Sequence, residues 1–167
     1  DLALWAAFRQ ASTEWLGIMD ADGQYDPRDA AGMLAGTGKS DAIWGIRARR
    51  QDRTWRKFIS RAGRFGKRLL LGECTVADTG CGLWIARTRF VQNLDALCNA
   101  PAGQVHCHIP EFIHARGGRI VEQPIRHRGR LGGRAKYGAW NRLGPGLRSL
   151  LQARRLVRNL RSRAAAP

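Results

Sequence analysis

The sequence has few acidic residues and no long apolar run. Of its 167 residues, 13 are Asp or Glu and 29 are Lys or Arg, which gives a formal net charge of +16. No stretch reaches the roughly 18 to 20 uninterrupted apolar residues of a membrane span, so we expect any membrane contact to be peripheral. The shortage of acids favours an anionic partner, whether nucleic acid, anionic lipid or a phosphate-bearing substrate.

Cysteine is also scarce, and its spacing does not predict a disulfide framework. The four cysteines include no C-x-x-C pair, and the sequence shows no secretory leader. We therefore expect reduced thiols and a cytoplasmic protein. A structural zinc module is an alternative with poor ligand spacing, and it would draw on Cys74, Cys81, Cys107, His106 or His108. Core thiols and loop histidines are the simpler interpretation.

The first fifth of the chain has the pattern of an α/β protein with one domain. Residues 2–13 predict an amphipathic helix, and Trp15–Met19 predicts a buried strand that ends at Asp20. Acidic side chains then follow the strand directly. Open α/β sheets bind their ligands at the carboxyl ends of strands, so this position is a candidate ligand site.

Further elements continue the alternation of helices and strands. Asp26 and Pro27 supply an N-cap and a first helical residue, so a helix should run to about Ala35. Two more strands are predicted, over Asp41–Ile46 and over Arg119–Ile125. These elements, taken with the first strand, predict a sheet flanked by helices.

A longer basic helix is predicted over about 54–71, and shorter helices over 88–98 and 104–116. The long helix has an apolar face that we expect to join the core, formed by Trp55, Phe58, Ile59, Ala62, Phe65 and Leu69. From about Trp140 a Leu/Arg-rich helix is predicted, interrupted at Gly144-Pro145-Gly146.

Asp20-Ala21-Asp22 places two carboxylates on one side of a turn. A hard divalent cation needs such a pair, because it leaves coordination sites open for diphosphate oxygens and water. The tripeptide alone is a weak indication, since acidic pairs are common in solvated turns. Its neighbours decide between a cation site and a simple turn.

The run from Trp15 to Pro27, WLGIMDADGQYDP, resembles the strand, acidic motif, glutamine and Asp-Pro helix start of family 2 glycosyltransferases. It is most similar to the dolichyl-phosphate mannosyltransferase and undecaprenyl-phosphate sugar transferase branch. The resemblance implies a GT-A fold, a Rossmann-like mixed sheet flanked by helices. It also implies that Asp20, Asp22 and Gln24 hold Mg or Mn on the diphosphate of a nucleotide-sugar.

Two further blocks resemble the acceptor side of that site. Arg47, which ends the block WGIR, and Arg56 and Ser60 match the residues with which the branch binds an acceptor phosphate. Arg56 and Ser60 stand four apart on the basic helix, so a guanidinium and a hydroxyl can converge on one phosphate, although a solvated basic face is the alternative. Asp78, in the block DTGCGL, is the candidate base for a hydroxyl acceptor, or else a loop cap.

Residues 122–137 resemble the family's closing loop, although Ala135 stands where a serine is usual. Its glycines allow close approach of the backbone to an oxyanion, and Arg128, Arg130 and Lys136 would neutralise charge on the leaving diphosphate. Arg130 and Lys136 join Asp78 as candidate catalytic residues. Basic loops of this type also bind nucleic-acid backbones, but the order of the blocks along the chain favours the transferase.

The resemblance covers about residues 2–142 and implies inverting, metal-dependent transfer of a sugar from a nucleotide-sugar to a polyprenyl phosphate or related membrane acceptor. A phosphate acceptor is already ionised near neutral pH and needs no strong base. The alternative function is a basic nucleic-acid-binding module, motivated by Trp55 and Trp140 among basic residues. That alternative does not account for the acidic motif.

We interpret residues 1–142 as the C-terminal portion of a GT-A domain and residues 143–167 as a basic helix and tail. The family's first strand and base-reading aspartate have no counterpart here, so we expect a missing nucleotide-binding part on the order of 80 residues. An oligomer or a partner is one way to supply it, and the chain alone should have little activity. The last helix is predicted either to contact an anionic membrane surface at the cytoplasmic face or to be a solvated tail.

Overall fold

The computed structural model of the protein describes residues 2–47, 63, 65–72, 76–92, 94, 105–129 and 143–164. Its elements, in chain order, are α1 (Leu2–Gln10), β1 (Trp15–Met19), α2 (Pro27–Leu34), β2 (Ala42–Arg47), α3 (65–71), β3 (Leu83–Arg87), α4 (Thr88–Val91), α5 (Ile109–Ala115), β4 (Ile120–Ile125) and α6 (Leu143–Ala164). Short 3-10 helices lie at Thr37–Lys39 and Val105–His108. The α/β class predicted from the sequence is confirmed.

The strands form one mixed sheet in the order β1-β3-β2-β4. Strand β3 is antiparallel to both of its neighbours, whereas β2 and β4 are parallel. Strand β2 is largely buried, as predicted, but the prediction of a buried β1 was wrong. Within the described sheet β1 is an edge strand that pairs only with β3, and its side chains are therefore half-buried or exposed.

Aromatic side chains fill the core beside the two central strands. Trp44 of β2 lies opposite Trp84 of β3, and their indoles stack with centroids 5.0 Å apart. Phe8 of α1 meets Trp84 edge-on at 6.0 Å, which holds α1 against the sheet. Offset and edge-on aromatic contacts of this kind add to the free energy gained from burial alone.

Helix α2 begins as its sequence predicts. The Asp26 carboxylate caps the helix by accepting a hydrogen bond from the Arg28 backbone N–H at 3.0 Å, and Pro27 occupies the first turn. The cap satisfies a backbone donor that has no partner within the helix. The helix ends at Leu34, one residue before the predicted end at Ala35.

Helix α3 is oriented differently from the prediction. Phe65 and Leu69, expected in the core, are 70% and 76% exposed. Instead Lys67 turns inward, where its ammonium pairs with the buried Glu111 carboxylate at 2.9 Å and donates to the Cys107 carbonyl. The remainder of the predicted helix, residues 54–62, lies outside the described residues.

Helix α6 is continuous from Leu143 to Ala164, so the predicted interruption at Gly144-Pro145-Gly146 was wrong. Pro145 lies in the first helical turn, where backbone N–H groups have no intrahelical acceptor and proline costs little. One stripe of the helix is buried, consisting of Ser149, Ala153, Leu156, Val157 and Leu160. Among the described helices, none is both long enough and apolar enough to cross a bilayer.

The helices predicted over 88–98 and 104–116 are shorter in the structure. Helix α4 ends at Val91, Leu94 is again helical, and residues 93 and 95–98 lie outside the described residues. The second prediction corresponds to the 3-10 helix Val105–His108 followed by α5. Gly117, at the predicted end, has a φ of +77°, a conformation that suits glycine and stops the helix.

Candidate functional site

The acidic motif leaves the carboxyl end of β1 beside the start of β3. The Asp20 backbone N–H donates to the Gly82 carbonyl at 3.0 Å, which extends the pairing of Met19 with Leu83 by one step. The Asp22 carboxylate accepts a hydrogen bond from the Gln24 backbone N–H at 3.2 Å, which tightens the turn after the strand. The structure thus confirms that these acids follow the strand at the end of the sheet.

Gly82 links the acidic motif to the loop that precedes β3. Its carbonyl accepts from Asp20, and its N–H donates to the Tyr25 hydroxyl oxygen at 2.8 Å. A methyl group built on Gly82 would overlap the Asp20 carboxylate. Glycine is therefore required for the carboxylate to lie where it does.

Tyr25 is a buried member of the site, with 7% of its surface exposed. Burial raises the pKa of its phenol above the ordinary value, although the Gly82 hydrogen bond acts in the opposite direction. Its ring meets that of His127 edge-on at 5.3 Å, and the two residues form an isolated β-bridge. Tyr25 therefore connects the acidic motif both to β3 and to the segment after β4.

Arg128, predicted to bind the diphosphate, is bonded to the turn and helix start that follow the acidic motif, at Gln24 and Asp26. Its backbone N–H donates to the Gln24 carbonyl at 2.9 Å, and the Gln24 side-chain amide donates to the Arg128 carbonyl at 3.2 Å. The Arg128 guanidinium also lies 3.0 Å from the Asp26 carboxylate. Residues 104 positions apart in sequence are thereby joined at one site.

Arg126 makes a second connection between the same two segments. Its guanidinium donates to Asp29 at 2.9 and 3.0 Å, and it lies 3.5 Å from Asp26. The Arg28 backbone N–H, and then the nearby guanidinium groups, hold the pKa of Asp26 below its usual value. The Asp29 hydrogen bond raises the pKa of Arg126, so the guanidinium remains charged.

Arg47 and Asp78, predicted on the acceptor side, face each other as an ion pair. Arg47 donates to both oxygens of the Asp78 carboxylate, at 2.6 and 2.7 Å. The Trp44 indole N–H donates to the Asp78 carbonyl at 3.0 Å, which holds the loop that contains Asp78 against β2. The hydrogen bond to Asp78 raises the pKa of Arg47 despite burial of the guanidinium.

The acceptor-side pair is continuous with the acidic motif. The Tyr25 hydroxyl interacts electrostatically with Arg47 and with Asp20. Cys81 interacts with Arg47, Asp78 and Tyr25; burial raises the pKa of its thiol, and the thiol donates weakly to the Leu83 carbonyl. The site is therefore one connected set of polar groups along the ends of β1, β2 and β3.

Oxygen ligands in the acidic motif suit a hard divalent cation. Among the described residues, no group of three His, Cys, Asp or Glu side chains forms a ligand set. The motif therefore offers two carboxylates, from Asp20 and Asp22, and leaves the remaining coordination to other oxygens. A hard divalent cation such as Mg or Mn takes carboxylate ligands of this kind together with water or phosphate oxygens.

Four of the predicted site residues lie outside the described residues: Arg56, Ser60, Arg130 and Lys136. The structure also adds residues that the sequence did not single out. Tyr25 and Gly82 lie within the blocks WLGIMDADGQYDP and DTGCGL, but their individual roles depend on the pairing of β1 with β3. Asp29 and Arg126 look like ordinary surface charges until their pairing across the chain is seen.

The mixed sheet with flanking helices is a GT-A glycosyltransferase fold. The crystal structure of mannosyl-3-phosphoglycerate synthase from Rubrobacter xylanophilus superposes with a TM-score of 0.53 at 17% sequence identity. The superposition covers 99% of this chain and 52% of that chain. At this level of identity the likeness establishes the fold alone.

The family of the chain is established by its sequence. The model of glycosyl transferase family 2 matches residues 2–95, more than half of the chain, and the chain belongs to this family.

The names of curated relatives of the chain contain a polyprenyl phosphate. It is 28% identical over 141 residues to undecaprenyl-phosphate 4-deoxy-4-formamido-L-arabinose transferase of Pectobacterium carotovorum subsp. carotovorum, a match covering 81% of this chain. It is 27% identical over 143 residues to dodecaprenyl-phosphate galacturonate synthase of Rhizobium johnstonii, again covering 81% of this chain. The chain spans about 40% of the length of both relatives.

Proposed function

We propose that this chain forms the acidic-motif and acceptor side of an enzyme that transfers a sugar from a nucleotide-sugar to a polyprenyl phosphate. The observation that carries the proposal is the bonding of the Gln24 turn to Arg128, which joins a pair of carboxylates to a basic segment. A cation and a guanidinium can then meet the same diphosphate. The acceptors in the names of its relatives support the lipid class.

On the donor side, Asp20 and Asp22 would hold Mg or Mn. When bound, such a cation neutralises charge on the diphosphate as the nucleotide departs. Gly82 and Tyr25 keep the Asp20 carboxylate at the end of β1. Arg128, held at Asp26 but mostly exposed, is available to bind a diphosphate oxygen, and Arg130 and Lys136 are proposed to act with it.

On the acceptor side, Asp78 acts as a positioning residue for Arg47. Both of its oxygens accept hydrogen bonds from that guanidinium, which leaves the carboxylate poorly placed to take a proton from an incoming hydroxyl. An ionised phosphate needs no such base and would be attracted by Arg47, with Arg56 and Ser60 as its other proposed ligands. Attack opposite the departing nucleotide inverts the sugar centre.

The test compares Asp20→Asn and Asp22→Asn with wild type in the complete gene product. We expect each change to reduce sugar transfer at least about hundredfold, because an amide holds a divalent cation far less well than a carboxylate. Mn²⁺ affinity, measured by titration, should fall in parallel. Glu14→Gln is the control, because Glu14 is an exposed carboxylate paired with Arg87 away from the site.

Wild-type transfer and wild-type Mn²⁺ affinity in both Asp variants would contradict the assignment. Salt-dependent binding to plain DNA or RNA, indifferent to Mn²⁺ and nucleotide-sugar, would support a nucleic-acid-binding module instead. Inversion is checked separately, from the anomeric configuration of the product. Because the acceptor is a lipid, the proposal also requires contact with a membrane, which we propose is peripheral and at the cytoplasmic face.

A further inference from the structure

Helix α6 has an inner and an outer face of different composition. The inner face is the buried stripe that contains Leu156 and Leu160. The outer face, as we use the term, consists of six exposed residues: Leu147, Arg148, Leu151, Arg154, Arg155 and Arg158. The helix contains six arginines and no acidic residue, so none of these cations has a carboxylate on its own helix.

Around the helix circumference, the two leucines of the outer face lie between its arginines and not at the border with the core. At about 100° per residue, the six side chains fall within about 120° of the helix circumference, and Arg154 and Arg148 flank the set. Leu147 and Leu151 are one turn apart and are 58% and 49% exposed. This places an apolar ridge on the solvent side of a strongly basic helix.

We infer that the outer face of α6 binds the surface of an anionic lipid bilayer. The leucines would enter the boundary between headgroups and acyl chains, while the arginines bind lipid phosphates around them. The inference deepens the proposed function, on which it rests for the reason a lipid surface is needed. It specifies which surface of the chain faces the membrane that carries the acceptor.

The composition of the outer face favours a bilayer over nucleic acid. Helix α6 contains no aromatic residue on which an unpaired base could stack. A duplex backbone would contact the arginines but would leave the two leucines facing phosphates and water. Only a partner that combines negative charge with an accessible apolar layer uses both kinds of side chain.

Helix α3 repeats the same combination beside α6. Phe65 and Leu69 are exposed one turn apart, with the exposed Arg68 between them in sequence. The Arg161 guanidinium of α6 donates to the Leu71 carbonyl of α3 at 3.2 Å, which places the two helices in contact. Of the seven large hydrophobic side chains exposed among the described residues, four belong to these two helices, so the exposed apolar surface is concentrated there.

The experiment measures cosedimentation of the purified 167-residue chain with vesicles. Neutral vesicles of phosphatidylcholine are compared with vesicles containing about one third phosphatidylglycerol. We expect binding to the anionic vesicles only. The double variants Leu147→Ser with Leu151→Ser, and Arg155→Gln with Arg158→Gln, should each weaken that binding on the order of tenfold. Added salt should weaken wild type more than the arginine variant.

Matched changes elsewhere on the surface serve as controls. Leu34→Ser and Arg119→Gln alter an exposed leucine and an exposed arginine away from α6, and they should bind vesicles as wild type does. Circular dichroism should show every variant folded, because all of the altered side chains are exposed. A loss of vesicle binding can then be assigned to the outer face.

Equal binding of wild type to neutral and anionic vesicles would overturn the inference, and so would unchanged binding by the leucine variant. Displacement of the chain from vesicles by plain duplex DNA, with DNA affinity unaffected in the leucine variant, would point to nucleic acid and also overturn it. Sugar transfer to a soluble short-chain polyprenyl phosphate tests the proposed function separately. If wild type binds the anionic vesicles but transfers no sugar to this soluble acceptor, the proposed function is wrong, whereas the inference about the outer face of α6 still stands.

Discussion

The acidic-motif region and the outer face of α6 differ in how their charged side chains are arranged. Residues 20–29 hold four of the thirteen acids of the chain, and the arginines that approach them, Arg126 and Arg128, are bonded to Asp26 and Asp29. Helix α6 carries six arginines and no acid. In the first region internal pairing orders two distant segments, whereas in the second the exposed arginines of the outer face lie together on a helix that carries no carboxylate.

The largest effect is expected where the acidic region is most closely packed. In Gly82→Ala the added methyl overlaps the Asp20 carboxylate and must displace it. We expect sugar transfer by the complete gene product to fall about hundredfold, and Mn²⁺ affinity to fall with it. Stability should change by only about 1–3 kcal/mol, the usual cost of overpacking.

Gly17→Ala is the control for that change. Gly17 lies in β1, and a methyl built there has no atom within 4 Å, so transfer and Mn²⁺ affinity should stay at wild-type levels. Wild-type Mn²⁺ affinity in Gly82→Ala would show that the Asp20 carboxylate is not held in the way described.

The prediction of intermediate size concerns the stability of the fold, which should depend on the inner face of α6 and not on its outer face. Leu156 is 3% exposed, and Leu156→Ala should lower the free energy of unfolding by about 3 kcal/mol, since it leaves a cavity in the core. Leu151→Ala, on the outer face, should change it by less than about 0.5 kcal/mol. Urea unfolding of the two variants measures the difference. Equal losses would mean that the outer face is also packed against protein.

The smallest expected effect is the contribution of the Asp26 carboxylate to thermal stability and its dependence on pH. Its pKa is lowered, chiefly by the Arg28 N–H, so the ionised carboxylate stabilises the folded chain at pH values above its usual pKa of 3.8. That contribution is lost as the pH falls through the lower pKa of the folded state. The Tm of wild type should therefore exceed that of Asp26→Asn at neutral pH, and the gap should close in acid.

Glu14→Gln provides the comparison, since an exposed ion pair contributes little to stability at any pH. Thermal unfolding followed between about pH 6 and pH 2 is the measurement. A Tm gap for Asp26→Asn that persists unchanged in strong acid would show that the ionised carboxylate is not its source.

Features that depend on near neighbours in sequence could be predicted. The Asp26 cap and Pro27 start a helix through contacts within three residues, and the apolar run of β2 is buried as expected. The acidic motif falls at the end of β1 because a strand and the turn after it are both local patterns. The sequence therefore predicted the element that carries the motif and the position of the motif on it.

Features that depend on distant partners could not be predicted. The orientation of α3 is set by Lys67 and its pairing with Glu111, and a helical wheel contains no information about that partner. The roles of Tyr25 and Gly82 exist only because β1 pairs with β3. Arg47 was predicted to bind an acceptor phosphate, and Asp78 to be either a base or a loop cap. Their pairing with each other required the contact between β2 and the loop before β3.

The order in which the chain is synthesised bears on when this site can exist. Strand β1 and the Asp20 turn are synthesised before β3, which holds them and follows more than sixty residues later along the sequence, and Arg128 lies 104 residues beyond Gln24. Because local elements form before distant pairings, the Gln24 turn and Asp26 remain without Arg128 until that residue has been synthesised. The assembled site can therefore form only after β4 and Arg128 have emerged from the ribosome.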